Sequence, residues 1–209
     1  MRYQIRSVKL NKYFPPDDEL ALRIAQLCIL REDHLLELRG ITIDSAGELD
    51  GKFEEWRSLY FFRKSARTIN EIRRAIGGMG TLNQYKRLLD SDPKERIRIK
   101  KMTSELDKEY QHVKDLGDNV GAHILHKHLK ATLNDLDASW EGFLQIGEIA
   151  GEVHYKFAGE LVLAMLLPNV LEKHRRAHFE SILRRMASKS SVIELIDRIF
   201  ALYHHARKL

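Results

Sequence analysis

The chain has little that would anchor it outside an ordinary helical fold. Its single cysteine, Cys28, rules out an intrachain disulfide. Between Leu27 and Ile29, in an apolar helical pattern, the thiol reads as a small buried hydrophobe rather than a nucleophile. Apolar runs are short: Leu161 to Leu167 is the longest candidate, well under the roughly 18 residues a membrane span needs, and it reads as a buried helix segment. The opening Met1-Arg2-Tyr3-Gln4-Ile5-Arg6 lacks the apolar region of a secretory signal, so a cytoplasmic location without membrane contact is expected. Neither Lys-Ser nor Lys-Thr follows Gly77-Gly78-Met79-Gly80, which excludes a P-loop and leaves a break between helices. No internal repeat or low-complexity tract is present.

Metal and cofactor signals are also thin, despite ten histidines. A di-iron bundle needs two Glu-x-x-His units, and only Glu109 with His112 has that spacing. His174 and His178 have ligand spacing but no zincin glutamate, and Arg175 and Arg176 between them repel a divalent cation. His123, His126 and His128 cluster, and His204-His205 reads as surface decoration. The expectation is no cofactor and no metal, with a metal-binding helical bundle as the second alternative reading.

What is present is an ordinary globular composition, 44% hydrophobic and 31% charged, long enough for one good core. The net charge of +5 is unevenly placed. Residues 1–168 hold 26 basic and 26 acidic side chains, whereas 169–209 hold nine and four. The basic end either attracts phosphate or forms a solvated surface. Residues 1–14 read as extended up to Pro15-Pro16, and Asp17 or Asp18 caps a helix running to about Arg39, with Gly40 as its stop. Core helices are expected at 52–76, 94–116, 120–136 and 153–167 from apolar steps of three and four. The first carries Leu59, Phe62, Ala66, Ile69, Ile72 and Ile76 opposite Arg57, Lys64, Arg67 and Arg74; the second carries Ile99, Met102, Leu106, Tyr110, Val113 and Leu116. In the third, Ala122, Leu125, Leu129, Leu133 and Leu136 form the core face. A short helix near 81–90 precedes Asp92-Pro93, read as N-cap and first helical residue. A loop with one short extended piece spans 140–152, and two basic helices at about 169–187 and 190–206 follow Pro168. The fold class is all-α.

The segment Leu116-Gly117-Asp118-Asn119-Val120-Gly121-Ala122-His123 resembles the active-site turn of the HEPN superfamily, with Gly117 where that family has its arginine. The run from Glu54 to Ile72 resembles the long helix before the motif in a group of bacterial HEPN-like proteins, and His154-Tyr155-Lys156-Phe157-Ala158-Gly159-Glu160 the helix after it. The resemblance covers about residues 52–167. It implies a HEPN-like antiparallel helical bundle over 1–168 with an N-terminal extension, and basic C-terminal helices at 169–209 packed on the same domain. It also implies a homodimer, metal-independent cleavage of RNA, a toxin–antitoxin or phage-defence setting, and an antitoxin or nucleotidyltransferase as partner.

In that family the histidine manages protons while the arginine holds the scissile phosphate, the 2′-hydroxyl attacks, and a cyclic phosphate results. Carried onto this chain, His123, Asn119 and Asp118 are the catalytic candidates, and Lys114, Lys127 and Lys130 the RNA-binding ones. At about 100° per residue, His123 lies roughly 120° from the apolar stripe of its helix. Asn119, His123, Lys127 and Lys130 form one polar face with His126 at its edge. That face is either a solvated surface or a groove completed by a second protomer. Without the arginine, activity is expected to be weak or lost, and Lys114 or Lys127 supplies only a point charge. The alternative reading is a non-catalytic helical dimerisation and interaction module.

Overall fold

The computed structural model describes residues 9–42, 51–119, 126–135, 144–145, 154–155, 157–188 and 191–207. Among these the helices are α1 (Leu10–Tyr13), α2 (Glu19–Thr42), α3 (Gly51–Gly80), α4 (Asn83–Asp90), α5 (Pro93–Asn119), α6 (His126–Asp135), α7 (Phe157–Leu166), α8 (Glu172–Ser188) and α9 (Ser191–Arg207). The only strands among the described residues are β1 (Leu144–Gln145) and β2 (His154–Tyr155), paired antiparallel with Leu144 opposite Tyr155. The all-α class follows. No described helix is long and apolar enough to cross a membrane.

Two starts are set by side-chain caps. The Asp18 carboxylate accepts from the Ala21 backbone N–H at 3.1 Å, and that of Asp92 accepts from Lys94 and Glu95 at 3.0 and 3.1 Å, with Pro93 in the first position. Each satisfies donors that the first helical turn leaves without intrahelical partners.

The chain divides into two compact units. One comprises residues 1–33, 71–109 and 191–209; the other comprises 34–70 and 110–190. In the first, α4 packs on α9. Leu20, Ile24, Leu27, Ile72, Ile76, Met79, Tyr85, Ile99 and Leu106 are buried there with Leu195, Ile196 and Ile199. Residues 1–14 are not simply extended: α1 forms one turn because Tyr13 is buried, 2% exposed, in edge contact with Phe14 and Tyr203. The Tyr203 hydroxyl donates to the Tyr13 carbonyl at 2.6 Å, and Arg207 pairs with Asp18. Farther along α9, Arg31 meets Asp197 at 2.6 Å, and Arg198 meets Glu95 at 2.9 Å. His204 is not surface decoration, since its Nδ1 lies 2.6 Å from the Tyr13 hydroxyl.

In the second unit α7 packs on both α6 and α8. Val162 to Leu167 are buried without a break, as expected of a helix enclosed on most sides. Phe179 of α8 sets its ring edge-on to Phe62 of α3 at 5.0 Å.

Glycine misleads at two places. Gly77-Gly78-Met79-Gly80 does not break α3, which continues to Gly80 with Ile76 and Met79 buried. The three glycines together cost at most about 3 kcal/mol in a helix, and full burial of the two side chains returns about 3–6 kcal/mol. Nor does Gly40 stop α2. An added Cβ there would lie 2.5 Å from the Phe61 ring, so the missing side chain gives the ring room rather than ending the helix. The expected 153–167 helix begins only at Phe157, because His154 and Tyr155 pair with β1. Leu133, expected in the core, is 51% exposed, and Leu129 is half-buried. Leu133 lies about 40° round the helix from Leu129, so a contact strip narrower than the apolar periodicity leaves it at the edge. Ala122, Leu125 and Leu136 lie outside the described residues.

Candidate functional site

The segment that resembles an active-site turn begins inside a helix. α5 runs three residues beyond the expected stop at 116, so Gly117, Asp118 and Asn119 form its end. The buried stripe of Ile99, Leu106 and Tyr110 stabilises this helix, and one glycine is too small a penalty to end it. No basic residue occupies the last turn of α5, where the carbonyl end of the helix dipole favours a cation. Gly117 therefore stands where an arginine would be electrostatically welcome. The side chains of Lys114, Asp118 and Asn119 lie outside the described residues, as does His123 altogether.

On α6, Lys127 and Lys130 are both exposed and three residues apart, hence on one face. Asn134 and Asp135 are exposed one turn later, so the face is polar along most of the helix. In the same unit, the start of α8 carries exposed Lys173, His174, Arg176 and His178.

The described residues also assemble a polar cluster that sequence reasoning missed. His34 of α2 is 2% exposed and Ser65 of α3 is fully buried. The Ser65 hydroxyl lies 3.1 Å from His34 Nδ1, and Glu37 Oε2 lies 3.9 Å from the same nitrogen. Thr68 donates to Glu37 Oε1 at 2.8 Å. Glu37 Oε2 has no hydrogen-bond partner among the described residues. The composition suggests a Ser-His-Glu relay, but the geometry does not. A relay places the hydroxyl on one ring nitrogen and the carboxylate on the other, whereas here both crowd Nδ1. With no exposed surface, the Ser65 hydroxyl cannot meet a substrate. The cluster is a structural tie between α2 and α3. One signal was available: His34 continues the buried steps Ile24, Leu27 and Leu30 on α2, so spacing alone places it inside.

In comparisons with protein-family models, curated proteins and solved structures, nothing matches the chain. No group of three or more His, Cys, Asp or Glu residues suited to a metal ion occurs among the described residues. Cys28 is half-buried rather than fully enclosed. Burial pushes its thiol up, only partly offset by Arg31, which keeps it protonated and unreactive near neutral pH.

Proposed function

We propose that this chain is an RNA-associated helical protein of HEPN-like type, with metal-independent ribonuclease activity that is weak or lost. The observation that carries the reading is the exposed Lys127–Lys130 pair on α6, which follows closely on a helix ending in Gly117, Asp118 and Asn119. Two exposed ammonium groups on one face attract a phosphodiester backbone by Coulomb interaction and counterion release. His123, between Asn119 and His126 in sequence, is the proton carrier in this reading, and Asn119 and Asp118 are its polar companions. Lys114 is the nearest cation to the missing arginine in sequence. A two-fold dimer that brings two copies of His123 together belongs to the same proposal, as do an antitoxin or nucleotidyltransferase partner and a defence role.

Gly117 favours a second reading, in which the same fold serves as a non-catalytic interaction module. Incubating the purified protein with structured RNA, with and without chelator, separates the readings. Chelator-resistant cleavage that disappears in His123→Ala supports the ribonuclease. Binding without cleavage supports the module, and neither binding nor cleavage removes the RNA reading.

A further inference from the structure

The outward face of α3 has a composition that its role as a core helix does not require. Leu59, Phe62, Ala66 and Ile69 are buried on one side. At about 100° per residue, Trp56, Tyr60, Arg63 and Arg67 fall within roughly 60° of one another, in a row centred about 110° round the helix from that buried strip. The steps are four, three and four, and the row is about 16 Å long. Trp56 is 38% exposed, Tyr60 is 46% exposed, and Arg67 is exposed. Lys64 carries its Nζ 5.6 Å from the centre of the Tyr60 ring, so a cation sits against one aromatic face. Residues 56–70 contain Arg57, Arg63, Lys64 and Arg67 and no carboxylate, and Glu71 follows on the same face one turn after Arg67. Burial lowers the Arg63 pKa from its ordinary value while Tyr60 opposes the shift, which places this cation beside the aromatic row.

We infer that this face of α3 is a stacking platform for single-stranded nucleic acid, on which Trp56 and Tyr60 carry bases while Lys64, Arg63 and Arg67 follow the phosphates. The inference rests on the RNA reading proposed above and adds to it a second surface with a different chemistry, base stacking rather than charge alone. Stacked aromatics beside a cationic track bind single strands with little regard to sequence, because every base presents a π-face. Duplex is a poor ligand, since its bases are already stacked on each other.

The test uses the full chain and fluorescein-labelled oligonucleotides of about 12 nucleotides: an oligouridylate, its deoxy counterpart and a duplex of mixed sequence. Binding is followed by anisotropy across a salt series, and helix content and melting are checked for each variant. Trp56→Ala and Tyr60→Ala are each expected to weaken single-strand binding about 5- to 150-fold. Tyr60→Phe keeps its ring and should stay within about twofold of the native protein. Arg67→Gln should flatten the slope of log affinity against log salt by about 0.7. Stronger binding of the ribo- than the deoxy-oligonucleotide identifies RNA as the ligand, and equal binding identifies single strands of either kind; both support the platform. Three results overturn it: native affinity in a folded Trp56→Ala/Tyr60→Ala double variant, preference for duplex, or a native dimer that the double variant dissociates with no nucleic-acid binding by either protein. If the double variant binds normally while Lys127→Gln/Lys130→Gln does not, the platform fails and the RNA reading survives. If the native protein binds no oligonucleotide even at low salt, both fail.

Discussion

Replacing glycine by alanine inside a helix ordinarily stabilises it, yet the structure predicts opposite signs for that change at different glycines of this chain. At Gly77, within α3, an added methyl meets nothing within 4 Å. Gly77→Ala should therefore gain the helix-propensity difference of about 0.5–1 kcal/mol and raise the melting temperature by roughly 1–4 °C. At Gly40 the same methyl would lie 2.5, 2.6 and 2.7 Å from three carbons of the Phe61 ring. Carbon contacts settle near 3.5–4.0 Å, so the ring must retreat by about 1 Å. One of the three carbons is the ring's attachment point, which a simple ring rotation does not move away. Overpacking of this kind costs about 1–3 kcal/mol, against a propensity gain below about 1 kcal/mol. A net loss of about 1–2 kcal/mol, or roughly 2–8 °C, is expected. Gly78 lies between these cases, because its added methyl would meet only the guanidinium end of Arg23, which can swing aside, and Gly78→Ala should be nearly neutral. Urea titrations with an unchanged slope read all three. In a Phe61→Ala background, Gly40→Ala should turn from destabilising to stabilising. If Gly40→Ala stabilises the native protein as much as Gly77→Ala does, the close approach of Phe61 to α2 is wrong.

Ser65→Ala should cost about 1–3 kcal/mol in urea denaturation, because it leaves His34 Nδ1 buried without its hydroxyl partner; a loss under about 0.5 kcal/mol would argue against the cluster. Burial pushes the Tyr85 phenol up to about 12 from its ordinary 10.0. The folded state therefore keeps a proton that the unfolded chain releases, and its contribution is full below pH 10 and lost between about 10 and 12. That decline is about 3 kcal/mol at most, and it should be absent from Tyr85→Phe in alkaline urea titrations. Gly117→Arg places a cation at the carbonyl end of α5 and should raise metal-independent RNA cleavage, by up to about 10² to 10³-fold if one charge-stabilising donor is restored. The same substitution combined with His123→Ala should give no increase. A folded Gly117→Arg protein that gains neither cleavage nor RNA affinity would favour the non-catalytic module.

Much of the fold was legible wherever local pattern and burial agree. On α3 the six apolar residues from Leu59 to Ile76 are all buried as their spacing requires, and Asp92 with Pro93 begins α5 as sequence alone indicates. Sequence reading failed where a residue's role is fixed by a neighbour distant in sequence. Gly40 looks like a helix stop until Phe61 is placed beside it. His204 looks like surface until Tyr13 meets it. For the candidate site, Lys127 and Lys130 are exposed on α6. Trp56 was not singled out, because apolar periodicity marks the core side of a helix and is silent about aromatics on the other.

The ties between α1 and α9 also set an order in time. The Tyr203–Tyr13 hydrogen bond spans 190 positions, and α9 is the packing partner of α4. During synthesis, α4 is finished at Asp90 and then waits for about a hundred further residues before α9 appears, some 5–20 s at ordinary elongation rates. Residues 34–70 and 110–190, by contrast, are all present before α9 has been made. The nascent chain therefore carries one unit able to close early and another whose apolar surfaces stay uncovered until the end. Slowing elongation after α4 should lengthen the exposure of the second kind and increase the demand on chaperones, without any change to the finished protein.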